Sequence, residues 1–444
     1  MSVPASLPVA QTTTAAPAHP SLPRAVLLSL SFAMWLSALS TSIANVALPA
    51  LMQAFQAPFH AVQWVVIAYL MTITLVIVSV GRLGDRVGRR RLMLIGLAMF
   101  TLSNVAGGLS LGLGQLIAAR VMQGLGAAIM MALSLALVSE LVAKSRAGSA
   151  MGLLGTLSAA GTALGPTLGG LLMAAWGWQA IFWMQVPLGL LALSLAVRHL
   201  PKDALSPSPA VERFGLVSSV ALALRQPVLS TGLAVSALAT TVVMATLVVG
   251  PFYLAGALGL DAMHMGLVMS IGPAVAALAG APAGRLVDRL GTHRVGMGGL
   301  GLMLVGSTAL PFAAAHGGVA GYAAALAFIT AGYATVQTAN NTAVMARAGS
   351  GQRGMVSGLL NLSRNLGLIA GASAMGAVFQ WGSSSTLALG ADVQALGAGL
   401  RATFLVAAAL VMVAVWLLSS GVAIRRQTRA TPGGDELSGN PGTP

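Results

Sequence analysis

Charge is what this chain has least of: Asp, Glu, Lys and Arg make up 7% of its 444 residues, where a soluble domain carries about a quarter. That shortage excludes a soluble enzyme or binding domain. Cysteine is absent altogether, which removes disulfide scaffolds, thiol nucleophiles and Cys-rich metal sites. No HExxH zinc motif and no GxxxxGK[ST] phosphate loop occurs in the sequence, so neither a zinc hydrolase nor an ATPase is indicated. The expectation is a protein that is not an enzyme and that needs no cofactor and no metal.

What fills the chain instead is apolar and small. Hydrophobic residues make up 57%, with 54 Gly and a mean hydropathy of +0.87. Small residues let helix backbones approach one another in lipid, where no hydrophobic force drives them together. A span needs about 20 mostly apolar residues, and twelve such runs emerge, at 25–47, 63–80, 92–111, 115–138, 152–175, 180–197, 228–250, 263–283, 295–315, 321–345, 356–380 and 402–422. The fold class expected is an all-α membrane protein of twelve transmembrane helices.

The net charge of +14 is explained by topology. Every other loop is rich in Arg, as in Arg82, Arg86, Arg89, Arg90 and Arg91 between the second and third runs, while the opposite loops are nearly bare. Cytoplasmic loops carry that excess, so both termini are expected in the cytoplasm and no nucleic-acid partner is implied. Trp64, Trp176, Trp178 and Trp381 fall near the external ends of runs, where indole favours the headgroup layer. The sequence divides into a disordered cytoplasmic tail at 1–24, a first bundle at 25–197, a cytoplasmic linker with an amphipathic helix at 198–227, a second bundle at 228–422 and a disordered cytoplasmic tail at 423–444. The nearly exclusive use of Arg over Lys fits a bacterial inner-membrane protein.

An internal repeat supports two bundles. GRLGDRVGRRR at 81–91 returns as GRLVDRLGTHR at 284–294, each after the second run of its half. Parallel repeats of this kind build transporters whose substrate sites lie between the halves at the bilayer midplane.

On these residues the chain resembles the major facilitator superfamily, and within it the drug:proton antiporter branch. The loop signature is carried by Gly81, Asp85, Arg86, Gly88, Arg89 and Arg90, the fourth-span signature by Arg120, Gln123, Gly124 and Gly126, and the fifth-span antiporter signature by Gly152, Gly161, Gly165, Pro166, Gly169 and Gly170. LSTSIANVALP at 39–49 and the trio Gln63, Trp64 and Tyr69 are similar to multidrug exporters that usually have fourteen helices; this chain has room for twelve. The resemblance implies a pseudo-symmetric pair of six-helix bundles. It also implies a latch in which Asp85 faces the start of the eleventh helix and Glu140 pairs with Arg86 or Arg89, with Asp288 and Arg289 as the repeat's counterparts. Gly161, Gly165, Pro166, Gly169 and Gly170 would kink the fifth helix and seal it against leak.

Arg120 is the leading candidate for a functional residue, because a cation at bilayer depth costs about 2.5 to 3.5 kcal/mol and must face a cavity or a partner. Gln123 shares its face one turn on. The same residue could hold helices together through backbone carbonyls. Arg364 is a second embedded cation, and Gln337, Asn340 and Asn341 form a polar patch in the tenth run that either lines a cavity or bonds helices. With Ser40, Asn45 and Tyr69 these residues make up the candidate substrate and proton pathway. Relatives usually carry an Asp where Ser40 stands here. Ser40 cannot titrate, no acidic residue lies mid-membrane, and the cavity potential is therefore positive, favouring anionic or neutral amphipathic solutes. The expected activity is proton-coupled export of small, drug-like organic molecules by a monomer working in the lipid bilayer; the alternative is proton-coupled or exchange transport of an anionic metabolite or vitamin. Glu140 and Asp261 are the carboxylates left for coupling.

Overall fold

The computed structural model describes residues 24–141, 147–201, 226–347, 353–383 and 393–430. The tail at 1–23, most of the linker with its expected amphipathic helix, and 431–444 lie outside the described residues. Among the described residues twelve helical passes are present. In the first half these are α1 Arg24–Phe55, α2 Trp64–Val87 preceded by the single turn Phe59–Val62, α3 Arg89–Gly108, α4 Leu113–Leu141, α5 Ala147–Trp176, and α6 Gln185–His199 preceded by the turn Ala180–Trp183.

The second half repeats the pattern with α7 Pro227–Gly256 and α8 Ala262–Leu290. The continuous segment Thr292–Met345 holds α9 and α10, divided at Gly318, whose φ of 53° and ψ of −133° break the helix. Next, α11 runs from Arg353–Ala370 through a π turn, Gly371–Met375, into Gly376–Gly382. Finally, α12 spans Val393–Ala430, continuing eight residues past the bilayer limit read from the sequence at 422. Its last residues include Arg425, Arg426, Gln427 and Arg429, all good helix formers that need no lipid to stay helical.

Hydroxyl residues sit inside these spans at little cost because they donate to their own helix one turn back. Ser37 bonds Ala33 O at 3.0 Å and Thr41 bonds Ser37 O at 3.0 Å in α1; Thr240 bonds Ser236 O at 2.7 Å in α7.

The sequence repeat is also a repeat of backbone. Gly88 and Gly291 end α2 and α8 with φ of 97° and 82°, which side-chain-bearing residues rarely adopt. Their N–H groups donate to Gly84 O at 3.0 Å and Val287 O at 2.9 Å, the same bond in each half. Arg90, in the first copy, donates to Leu200 O at 3.1 Å and Val197 O at 2.8 Å, placing a cation on the C-terminal carbonyls of α6. The side chains of Asp85 and Glu140, on which the expected latch rests, lie outside the described residues, as do the surroundings of Gly81. Arg86, Asp288 and Arg289 are exposed and Arg89 is half-buried.

The helices join differently at their two ends. The end where α1 begins, α12 finishes and the Arg-rich loops lie is here called the basic end, and the opposite one the charge-poor end. At the charge-poor end the halves are sealed. Gly170 of α5 packs against the backbone of Ala262 and Gly266 in α8, while Gly266 packs against Pro166 O, and the Thr167 and Ser270 hydroxyls are hydrogen-bonded. Phe59, Phe252 and Phe379 from α2's leading turn, α7 and α11 form an aromatic plug, with ring centroids 4.6 Å and 5.8 Å from Phe59. Toward the basic end α8 loses such neighbours: added Cβ atoms at Gly280 and Gly284 would meet nothing within 4 Å.

The small-residue seam of α5 therefore has two faces. Gly161, Gly165 and Gly169 lie against Trp35, Ser42 and Ile43 of α1, and Gly170 against α8. One tryptophan departs from its expected place: Trp64, Trp176 and Trp381 are exposed, but Trp178 is buried. Its ring packs 5.2 Å from Phe55 and 6.2 Å from Phe182, so local aromatic packing outweighs the headgroup layer there.

Candidate functional site

The two embedded cations have opposite surroundings. Arg120 is 1% exposed and lies inside the first bundle. Its Nε donates to Val65 O at 2.8 Å, Nη1 reaches Ser40 O and Ser40 Oγ at 3.4 Å and also donates to Gln123 Oε1. The guanidinium carbon stands 4.1 Å above the Tyr69 ring. Gln123 Nε2 passes the chain on to Asn104 Oδ1 at 2.8 Å, Asn104 donates to Phe100 O at 2.8 Å, and the Tyr69 hydroxyl donates to Ser37 O at 2.9 Å. Arg120, Gln123, Ser40 and Tyr69 are thus one sealed network tying α1, α2, α3 and α4. In this conformation Arg120 does not face a cavity. Its geometry is that of a helix clamp, because backbone carbonyls and a ring face absorb its charge.

Asn45, also placed in the pathway from sequence, is buried and donates to Thr41 O at 3.2 Å and Ser42 O at 3.3 Å within α1. Its Oδ1 has no partner.

Arg364 behaves differently. It is exposed, has no hydrogen bond or ion pair to any described residue, and lines a cavity of about 270 Å³ shared by Ser236 of α7, Tyr333, Gln337 and Asn341 of α10, and Ser357 and Asn361 of α11. Met345 and Leu360 provide its apolar wall. Two helical stripes build it: Tyr333, Gln337, Asn341 and Met345 recur every four residues, and Ser357, Asn361 and Arg364 every three or four, which places each set on one face. Gln337 is held in place, accepting from Ser236 Oγ at 3.3 Å and donating to Thr240 Oγ1 at 3.3 Å and the Tyr333 hydroxyl at 3.1 Å. Among the described residues, no acidic side chain lines this space. Its mouth lies toward the basic end, where Asn341 and Ser357 are exposed.

Asn340, next in sequence to Asn341, points away. It donates to Gly232 O at 2.9 Å and joins α10 to α7. Ser236, Tyr333, Ser357 and Leu360 were not singled out from sequence, although the four-residue recurrence from Tyr333 to Met345 was the available signal. A second, larger hollow of about 680 Å³ lies at the charge-poor rim between Trp176 and Trp183, with Gln179 as its polar member; its exposed indoles face where headgroups would lie.

Two further sequence features resolve into local structure. A G-x-S-x-G run, a nucleophile motif the sequence was expected to lack, does stand at 108–112, as the turn between α3 and α4. Ser110 Oγ is committed to Gly107 O at 2.7 Å, and no strand leads into it as a nucleophile elbow requires. Asp261 is the N-cap of α8, accepting from the His264 N–H at 2.8 Å and lying 2.8 Å from His264 Nδ1. These bonds hold its carboxyl below the usual carboxylate range, so it is ionised at neutral pH and poorly suited to carry a proton.

The sequence of residues 30–372 matches the model of the Major Facilitator Superfamily. The chain belongs to the major facilitator superfamily. This facilitator is 35% identical over 180 residues to the riboflavin transporter RibZ of Clostridioides difficile (strain 630), a stretch that spans 40% of each protein. It is 28% identical to the drug efflux pump JefA of Mycobacterium tuberculosis (strain CDC 1551 / Oshkosh) over 416 residues, 80% of each chain. In fold it is similar to a bacterial homologue of the human lysosomal transporter Spinster, solved in an inward-facing, unoccupied conformation. The TM-score is 0.76 at 15% identity, over 92% of this chain and 98% of that one. This facilitator is a multi-pass membrane protein, and it spans about a third to 40% of the length of the first relatives it matches, which are named as a riboflavin transporter and a multidrug resistance protein.

Proposed function

We propose that this facilitator exports small amphipathic organic molecules, neutral or anionic, by alternating access, taking them up at the cavity that Arg364 faces. The observation that carries the reading is a guanidinium without a partner among the described residues, in a cavity whose described lining holds no carboxylate, an arrangement that attracts negative charge and repels lipophilic cations. RibZ is named for riboflavin and JefA for drug efflux, and small organic molecules are the class common to both. The positive-inside pattern makes the basic end cytoplasmic in a bacterial inner membrane, so the conformation is open to the cytoplasm and sealed outside.

Proton antiport supplies the energy in this reading: one proton crossing 100 mV releases about 2.3 kcal/mol. Ser40 stands where relatives carry Asp, and Asp261 is a helix cap, so the coupling role is assigned to Glu140 at the end of α4. A monomer suffices, since each half supplies its own share of the gate. Arg364, unpaired among the described residues, also favours a second reading, exchange or uptake of an anionic metabolite or vitamin.

The test is flux in proteoliposomes with fluorescein as the anionic probe, riboflavin as the neutral one and ethidium as the cationic one, each with and without an imposed pH gradient. Gradient-dependent movement of fluorescein or riboflavin toward the external face is expected. Movement of ethidium alone would overturn the charge assignment, and anion movement only inward would favour the second reading.

A further inference from the structure

Beside the Thr167–Ser270 hydroxyl pair, the seal at the charge-poor end contains a second polar bond between the halves, made by Gln63. Gln63 stands between the leading turn Phe59–Val62 and α2, and is 5% exposed. Its Nε2 donates to Ala372 O of α11 at 3.0 Å. Ala372 lies in the π turn Gly371–Met375, the described interruption of α11. A π turn inserts one residue into a helix, and its carbonyls no longer meet the N–H groups four residues on. Such turns are frequent at functional sites, and here the displaced carbonyl is one that the opposite half of the protein binds. Gly376, one turn further, has room only for hydrogen where the Gln63 amide sits, and a Cβ there would overlap it. Around the bond, Phe59, Phe252 and Phe379 exclude water.

We infer that Gln63 is a positioning residue of the transport cycle, the latch that holds the charge-poor end shut by closing its amide on the carbonyl presented by the π turn. In the shut state Ala372 O is dry and needs the amide; when the halves part, water replaces it. A neutral hydrogen bond of this kind biases an equilibrium by about threefold to tenfold. That is enough to set the resting state and small enough for a transport cycle to reverse, whereas a dry ion pair would hold far more tightly.

The test uses two spin labels at exposed positions flanking the plug, His60→Cys in the first half and Trp381→Cys in the second; the chain has no other cysteine. Pulsed electron–electron distance measurement in nanodiscs should give one short separation for the labelled protein with Gln63 intact. Gln63→Leu removes the donor and should raise the ratio of long to short separations about tenfold. Gln63→Asn, which keeps the amide but is one carbon too short, should shift it in the same direction even if the leucine variant is poorly produced. Gly376→Ala should reproduce the shift and add nothing to Gln63→Leu.

Gln63→Glu gives a readout that a merely structural residue would not. Protonated, its hydroxyl can donate to Ala372 O; ionised, it repels that carbonyl. The shut population should therefore match the parent near pH 5 and fall toward the leucine value near pH 8. Of the titratable side chains on the elements packed here, His60 is replaced by the label, and Tyr253 of α7 and Arg401 of α12 are the same in every variant compared. If Gln63→Leu, Gln63→Asn and Gln63→Glu all keep the parent distance distribution at both pH values, the latch is refuted.

Discussion

Replacing Arg120 with Ala separates a clamp from a substrate contact. The guanidinium supplies Val65 O, Ser40 O and Gln123 Oε1 with their donors and covers the Tyr69 ring. Truncation leaves Gln123 Oε1 without this donor, costing about 1 to 3 kcal/mol, takes a second hydrogen bond from each of the helical carbonyls Val65 O and Ser40 O at about 0.5 to 1.5 kcal/mol each, and removes a desolvated cation–π contact worth about 2 kcal/mol. Relief of the buried charge returns part of this, so the net loss is about 3 to 5 kcal/mol. Water cannot enter readily to compensate, since Ser40, Gln123 and Tyr69 are all buried. At about 2 to 4 °C per kcal/mol, the unfolding midpoint in detergent, followed by tryptophan fluorescence, should drop by roughly 10 °C. Arg120→Lys should recover only part of the loss, because an ammonium cannot span three acceptors and stack on a ring. A variant with an unchanged midpoint and no transport would refute this reasoning and return Arg120 to the substrate pathway.

Four other outcomes are expected. Arg364→Gln should raise the KM for fluorescein about 10- to 100-fold, the loss of a charge-assisted hydrogen bond, and leave riboflavin flux nearly unchanged. Gly88→Ala and Gly291→Ala should each lower the thermal midpoint through about 1 to 2 kcal/mol of left-handed backbone strain, with similar sizes because the two turns are copies. Asp261→Asn should leave the pH profile of flux between pH 5 and 8 unchanged. Its folded carboxyl sits below its unfolded value through the His264 backbone and ring bonds, so whatever it contributes is present above about pH 4 and lost only as pH falls below that. Glu140→Gln should remove the response to an imposed pH gradient while substrate binding persists; gradient-driven flux in that variant would clear Glu140 of the coupling role.

The spans were legible because a lipid solvent imposes a length and a composition that few other constraints imitate. The two-half architecture was legible because one loop was written twice, and Gly88 and Gly291 show why: the same turn needs the same glycine. Which way a polar side chain points was not legible. Asn340 and Asn341 are neighbours, yet 100° of helical rotation sends one to Gly232 O and the other into the cavity. Arg120 and Arg364 looked alike as cations in apolar runs, and only the packing of α1, α2 and α3 around α4 sealed one while the other was left facing open space. The π turn in α11 has no signature in Gly371–Met375 either, because its register depends on what Gln63 and Met244 press against it from other helices.

The central claim is that a cavity between α7, α10 and α11 opens toward the Arg-rich end and holds the transported solute. A single cysteine at Asn361, in a chain with none of its own, can be challenged with a membrane-impermeant maleimide from either face of oriented vesicles. Labelling from the cytoplasmic face, slowed by fluorescein and restored in Arg364→Gln, is the result this account requires. Labelling only from the opposite face, or labelling indifferent to fluorescein, would contradict it.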